Sequence, residues 1–210
     1  GRVISTGDRI IEIKEEADAS DEEKNIREIN TGICIIPGRS FAYLEEIGAG
    51  NKKGEYYLTD ICNIARAKGS SIRKYNHGKS SKVLGVNSRK ELLEANITMK
   101  NRILERHLRN GVSLPDNNVY IEDDVQIGKD TVIFPNSHII GKTIIGNEVS
   151  IGPNVILKNA FIHDRVVIEG FAVVEGAEIF EEVKIRPFSR IRPQKNIGRK
   201  EHIGNFVELK

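Results

Sequence analysis

The sequence predicts an α/β segment, a connecting helix and then a parallel β-helix of six-residue repeats. Three observations carry this. An aliphatic residue returns every six positions from Ile121 onward, residues 88–110 repeat apolar side chains at helical spacing, and short apolar runs alternate with charged helical patterns before that.

The repeat runs through Ile121, Ile127, Ile133, Ile139, Ile145, Ile151 and Leu157. After a five-residue step it continues at Ile162, Ile168 and Val174, and after a second at Ile179, Ile185, Ile191, Ile197, Ile203 and Leu209. Four positions on from many of these stands a small or β-branched residue, such as Val125, Thr131, Ser137, Val149, Ala172 or Ser189. A period of six is neither the 3.6 of a helix nor the 2 of an amphipathic strand. Three hexads make one triangular coil, so roughly sixteen hexads over residues 112–210 make about five coils. Each aliphatic residue is expected to point inward and stack on its equivalent one coil away. Gly128, Gly146, Gly152, Gly198 and Gly204 follow the aliphatic position and read as turn sites needing a permissive backbone. Antiparallel hairpins would give longer, less regular periods.

Residues 1–87 differ in kind. Ile10–Ile13 and Gly32–Ile36 read as strands, the second closed by Pro37-Gly38, with Val83–Val86 as a last short strand. Ala19–Ile29 reads as a charged helix opened by Ser20, followed by helical patterns over Ser40–Glu46 and Tyr57–Ala67. The alternation points to an α/β layer structure, with too few strands for an independent doubly wound domain. Between the halves, 88–111 reads as a linker helix. Ser88 caps it, Leu93, Ile97, Leu104 and Leu108 form its apolar stripe, and Gly111 ends it.

Composition narrows the function class. The 32 basic and 30 acidic residues leave a net charge of only +2 with no long basic run, which gives no electrostatic case for a nucleic-acid partner. No run of 18 apolar residues appears, so no transmembrane helix is expected, and residues 1–3 lead into charged sequence with no signal-peptide core. Cys34 and Cys62 have no metal-ligand spacing and read as reduced, buried thiols, which favours a cytoplasmic address.

Four ordered segments are specific: Glu28-Ile-Asn-Thr-Gly32, Gly54-Glu-Tyr-Tyr-Leu-Thr-Asp60, Gly85-Val-Asn-Ser-Arg89 and Gly204-Asn-Phe-Val-Glu-Leu-Lys210. With the hexads, they resemble, over nearly the whole chain, the bacterial bifunctional enzyme family that joins an N-acetylglucosamine-1-phosphate uridylyltransferase to a glucosamine-1-phosphate N-acetyltransferase. The resemblance implies a left-handed β-helix, a homotrimer, Mg²⁺, and acetyl-CoA and UTP as co-substrates beside sugar phosphates. Residues 1–87 would be the C-terminal part of the nucleotidyltransferase domain, and 112–210 the first coils of the acetyltransferase. The family's glycine-rich nucleotide loop, metal-binding Asp and catalytic His have no counterpart in this sequence. It is therefore expected to be an internal fragment that is inactive alone.

The same resemblance assigns roles. Gly1, Glu15 and Asn30 would line the sugar site of the uridylyltransferase, and Asn87 would hold Mg²⁺ beside the nucleotide phosphates. Arg192 and Lys210 would grip the phosphate of glucosamine 1-phosphate, the Arg as a fork and the Lys as a compact charge. They stand eighteen residues apart, one full coil. The family often has Gly after this Arg-Pro, where this chain has Gln194. Without the resemblance, Asn30 and Asn87 are turn residues and Glu15 is a solvated charge. Arg186, Arg190 and Arg192 could be surface charges on a strand, the reading preferred for Arg190. No His has ligand spacing, and none of the five is expected to be catalytic; the Tyr56-Tyr57 pair reads as packing. The competing functions are another sugar-1-phosphate nucleotidyltransferase with a β-helix tail, and a non-catalytic β-helix trimerisation module.

Overall fold

The computed structural model describes residues 1–76, 78, 83 and 85–209. The chain packs as two units, Gly1–Asn87 and Ser88–Lys210.

In the first unit, β1 (Arg2–Thr6) and β2 (Arg9–Lys14) form an antiparallel hairpin around Gly7, with an irregularity between Ile4 and Ser5. The predicted Ile10–Ile13 run lies in β2, and Val3 and Ile13 pair across the hairpin as buried partners. Helix α1 covers only Asp21–Lys24. Its start is a capping box: the Ser20 hydroxyl accepts from the Glu23 N–H, and the Glu23 carboxylate accepts from the Ser20 N–H. The predicted continuation to Ile29 fails because the hairpin takes that backbone. The Val3 N–H donates to the Glu28 carbonyl at 2.9 Å, and Ile29 bridges Arg2. Gly38–Glu46 and Leu58–Asp60 are 3₁₀ turns, the second leading into α2 (Ile61–Ala67).

Gly32–Ile36 is not a strand. Two of its three isoleucines stand in solvent, Ile33 78% and Ile35 99% exposed, and Ile36 is half-buried. A continuous apolar run becomes a buried strand only between neighbours that cover both faces, and the described residues of this unit supply just the β1–β2 hairpin. Val83, Gly85 and Val86 are likewise outside any strand, and Leu84 lies outside the described residues. The thiols also differ from expectation: Cys34 is exposed and Cys62 half-buried. Burial, then the proximity of Cys34 and Asp60, pushes the Cys62 thiol up, away from nucleophilic reactivity.

The second unit opens with α3 (Arg89–Arg109), capped by the Ser88 hydroxyl and ended at Gly111 in the left-handed region. Of the predicted stripe only Leu104 is buried; Leu93, Ile97 and Leu108 are half or more exposed. Within this unit only the final turns of α3 pack, through Ile103, Leu104 and His107.

The strands from β3 (Tyr120–Ile121) to β18 (Glu208–Leu209) are two or three residues long and stack into three parallel sheets wound left-handed. One sheet aligns Ile121, Ile139, Leu157, Val174, Ile191 and Leu209. The second aligns Ile127, Ile145, Ile162, Ile179 and Ile197. The third aligns Ile133, Ile151, Ile168, Ile185 and Ile203. The aliphatic repeat is therefore the core, as expected. At the two five-residue steps, Ala160 and Ala177 fill the small-residue place one position early and stay buried. Buried hydroxyls tie the coils together: the Ser137 Oγ donates to the Gly152 carbonyl and accepts from the Val155 N–H.

The glycines after the aliphatic positions have a different reason from the one expected. None of Gly128, Gly146, Gly152, Gly198 and Gly204 has a positive φ. A Cβ on Gly128 would sit 2.5 Å from the carbonyl of Gly146, and one on Gly152 would sit 2.7 Å from the Gly170 nitrogen. Close approach of the next coil excludes side chains at Gly128, Gly146 and Gly152, whereas a Cβ on Gly198 would meet only the Glu201 side chain and one on Gly204 has room. The left-handed corner falls two residues later, at Asp130, Glu148, Asn154, Phe171, Phe188 and Phe206. Each non-glycine corner costs about 1–2 kcal/mol of backbone strain, offset in part by cross-coil bonds such as Phe171 N–H to the Pro153 carbonyl at 3.0 Å. Gln194 sits at such a corner, φ 67°, and its N–H still reaches the Gly176 carbonyl at 2.8 Å. Gly128→Ala is accordingly expected to lower stability by about 1–3 kcal/mol, as overpacking does. Asn154→Gly, which relieves a corner, should cost little; thermal melts of the two variants compare them directly. Among the described residues no helix is long and apolar enough to cross a membrane.

Candidate functional site

In the first unit the hairpin brings three candidate residues together. The Gly1 main chain lies beside the Glu15 carboxylate, and the Asn30 N–H donates to the Gly1 carbonyl at 2.8 Å. A Cβ on Gly1 would meet Glu15 Oε1 at 2.8 Å, so the carboxylate packs directly against the Gly1 main chain. Glu15 also accepts from the Thr59 hydroxyl at 3.2 Å, which ties in the Gly54–Asp60 segment. Asn30 Oδ1 accepts from the Gly32 N–H at 3.2 Å, as an Asx turn does.

This cluster is acidic. Burial, then Asp18, Glu12 and Glu15, raises the Asp60 carboxyl above its ordinary value. Burial, then Asp18, Glu55, Glu15 and Asp60, raises the Tyr57 phenol, whose buried oxygen has no partner. Asp18, Thr59 and Asp60 were not singled out from sequence. Thr59 and Asp60 lie within a quoted motif, but the closeness of residues 15 and 59 is a tertiary fact.

Asn87 is exposed and takes no part in the bonds joining Gly1, Glu15, Asn30 and Thr59. Its side-chain oxygen is of the hard type that Mg²⁺ accepts. It is a single neutral donor, however, and no group of three or more His, Cys, Asp or Glu among the described residues is placed to hold a metal. These residues do not by themselves form a magnesium site.

In the second unit Arg192 follows β15 (Arg190–Ile191) and is exposed, with Nε 2.7 Å and Nη2 2.6 Å from Glu208 Oε1. Sequence reading missed Glu208. Coil arithmetic could have found it, because Arg190 pairs with Glu208 in the sheet and Arg192 stands two residues along. Ile191 aligns with Leu209, and Lys210 itself lies outside the described residues. Arg190 pairs with Glu175 at 3.5 Å and Arg186 with Glu169 at 2.8 Å, both as surface charges. Among the histidines, His163 stacks on Phe180 and reaches Glu178 at 2.9 Å, His138 lies beside Tyr120, and His107 is buried. His77 lies outside the described residues.

Residues 124–159 match the family described as bacterial transferase hexapeptide (six repeats). Over 170 residues, 80% of this chain, the sequence is 41% identical to the bifunctional protein GlmU of Bacillus velezensis, of which it covers 37%. Over 168 residues, 78% of this chain, it is 44% identical to the bifunctional protein GlmU of Clostridioides difficile, of which it covers 36%. Among solved structures, the CcmM N-terminal domain in complex with CcmN aligns over 47% of this chain and 80% of that one, at 14% identity and a TM-score of 0.31, too low to add to the fold above. The chain spans a little over a third of the length of the curated relatives it matches. With that identity over most of its length, and a hexapeptide coil at its centre, the chain is similar to one part of the bifunctional GlmU proteins.

Proposed function

We propose that this chain forms part of a cytoplasmic two-activity transferase making UDP-N-acetylglucosamine. In one activity the amine of glucosamine 1-phosphate takes the acetyl group of acetyl-CoA, forming an amide as the thioester breaks. In the other, the phosphate of N-acetylglucosamine 1-phosphate takes the uridylyl group of UTP and pyrophosphate leaves. Residues 1–87 serve the second reaction as part of a nucleotidyltransferase domain, 88–111 link, and 112–210 serve the first. The observation that most supports this is the convergence of Gly1, Glu15 and Asn30, far apart in sequence, on one hairpin edge.

In this reading Glu15 and Asn30 present a carboxylate and an amide to sugar hydroxyls. Asn87 would offer one oxygen to a Mg²⁺ whose other ligands come from outside the described residues, and the ion would neutralise charge on the phosphates. Arg192 and Lys210 hold the sugar phosphate, so Glu208 must share the Arg192 guanidinium with it. Grafting these 210 residues in place of the matching segment of the Bacillus velezensis protein tests the assignment. A folded graft with both activities supports it, and a folded graft with neither rejects it.

The family resemblance also suggests a homotrimer. Large apolar side chains face outward on the flat sheets, among them Tyr120, Ile156 and Phe161, exposed by 49%, 39% and 40%. Sedimentation at tens of micromolar is expected to give three times the monomer mass, and a single monomer boundary would refute assembly through the coils.

A further inference from the structure

We infer that His107 makes the seating of α3 on the first coil an acid-sensitive latch. The open end of a solenoid needs a cap, because its first coil otherwise exposes core side chains to water. Here the final turns of α3 supply the cap: Ile103 and Leu104 join Val112, Val119, Ile121 and Val125 in the continuous core. His107 is the polar member of that plug. It is 2% exposed, and neither ring nitrogen has a hydrogen-bond partner. Its main chain closes the helix, with the Asn110 and Val112 N–H groups both donating to the His107 carbonyl.

A neutral imidazole in this position leaves one donor and one acceptor unmet; an imidazolium would leave two donors and a buried charge. The charges around it offer no relief. Arg106, the adjacent residue on the same helix, is a like charge. Asp123, on the turn after Tyr120–Ile121, is already engaged by Arg106, which donates to its side chain at 2.8 Å and to its carbonyl at 2.7 Å. Asp124 shares with His107 the lining of a cavity of about 420 Å³ that also includes Asn110 and Gln126. Lys129 packs against Gly111, beyond the helix end. Burial and then Arg106 lower the His107 pKa, and Asp123 offsets only part of that.

The sign follows. A histidine whose folded pKa lies below its unfolded value leaves stability complete above the unfolded value, near 6.5, and loses it as pH falls below that. The cap should therefore loosen in mild acid while the inner coils, which bury no histidine, hold.

Hydrogen exchange read by mass spectrometry on the whole chain, corrected for intrinsic rates, tests this at pH 7.5 and 5.5. Protection over residues 103–112 is expected to fall, by up to about tenfold, the limit for one pH unit below the unfolded value, while strands from Ser150 to Ile191 keep theirs. His107→Leu should abolish the difference. An equal acid loss in that variant, or no loss in the parent, overturns the latch. If His107→Leu does not fold, an NMR titration of the parent decides instead: one ring with a pKa depressed below about 6.5 supports the latch, and ordinary values for every ring refute it.

Discussion

Ile168→Asp is expected to leave the second unit unfolded, and Ile151→Asp to do the same. Both side chains are essentially without solvent contact, 1% and 0% exposed, and they pair with each other across adjacent coils. Burying an isoleucine contributes about 1.5–3 kcal/mol, which the substitution forfeits. The carboxylate then costs several kcal/mol more, because no Lys or Arg among the described residues is buried in the coil to pair with it. Together these approach the whole of a domain's stability, about 5–15 kcal/mol. The contrast lies one residue from an inward position: Ile156, next to Leu157, faces out at 39% exposure, so Ile156→Asp should leave the coil of each chain folded even where it weakens assembly through that face. Circular dichroism and thermal melts of the three variants decide it. Soluble Ile151→Asp and Ile168→Asp with unchanged melting temperatures would mean that the inward assignment is wrong.

The contrast between Ile156 and Leu157 also explains why the coils were legible in the sequence. In a solenoid every inward position has the same environment, so one chemical requirement repeats and its period can be counted. Even the five-residue steps announced themselves, and Ala160 and Ala177 show how they are absorbed. The turn chemistry was less legible. A glycine after an aliphatic residue suggests a left-handed turn, yet Gly128 is there because the neighbouring coil passes within 2.5 Å of its missing Cβ. Residues such as Phe188 take the left-handed corner against their own preference. Nothing local in the sequence separates these two reasons.

The first unit was harder because its elements depend on partners outside their own stretch of chain. Ile33 and Ile35 carry strand chemistry without a neighbouring strand among the described residues to pair with, and Glu28 and Ile29 give up helix for the edge of β1. Asn30 was found through its motif and Gly1 and Glu15 through the wider family resemblance, and no periodicity marks any of them. Glu208 shows the opposite case, since the eighteen-residue coil places it beside Arg192 once the fold is accepted.

Placed in the grafted protein described above, Arg192→Ala is expected to weaken glucosamine 1-phosphate binding by about 1.5–3 kcal/mol, the range for a hydrogen bond to a charged group. That is a rise of roughly 10- to 150-fold in the KM for that sugar in acetyl transfer. Uridylyl transfer should be unchanged. Asn87→Ala should do the reverse, slowing uridylyl transfer by removing one oxygen from the metal while sparing acetyl transfer. The ion pair with Glu208 sharpens the first half. If Arg192 is only a surface charge, as Arg190 is, its loss should move stability by less than about 1 kcal/mol and leave both activities alone. If it holds the phosphate, Glu208→Gln frees the guanidinium from a competing carboxylate, and the KM should fall or hold while the Arg192→Ala defect persists. Equal loss of both activities in each single variant would remove the residue roles and leave the fold standing.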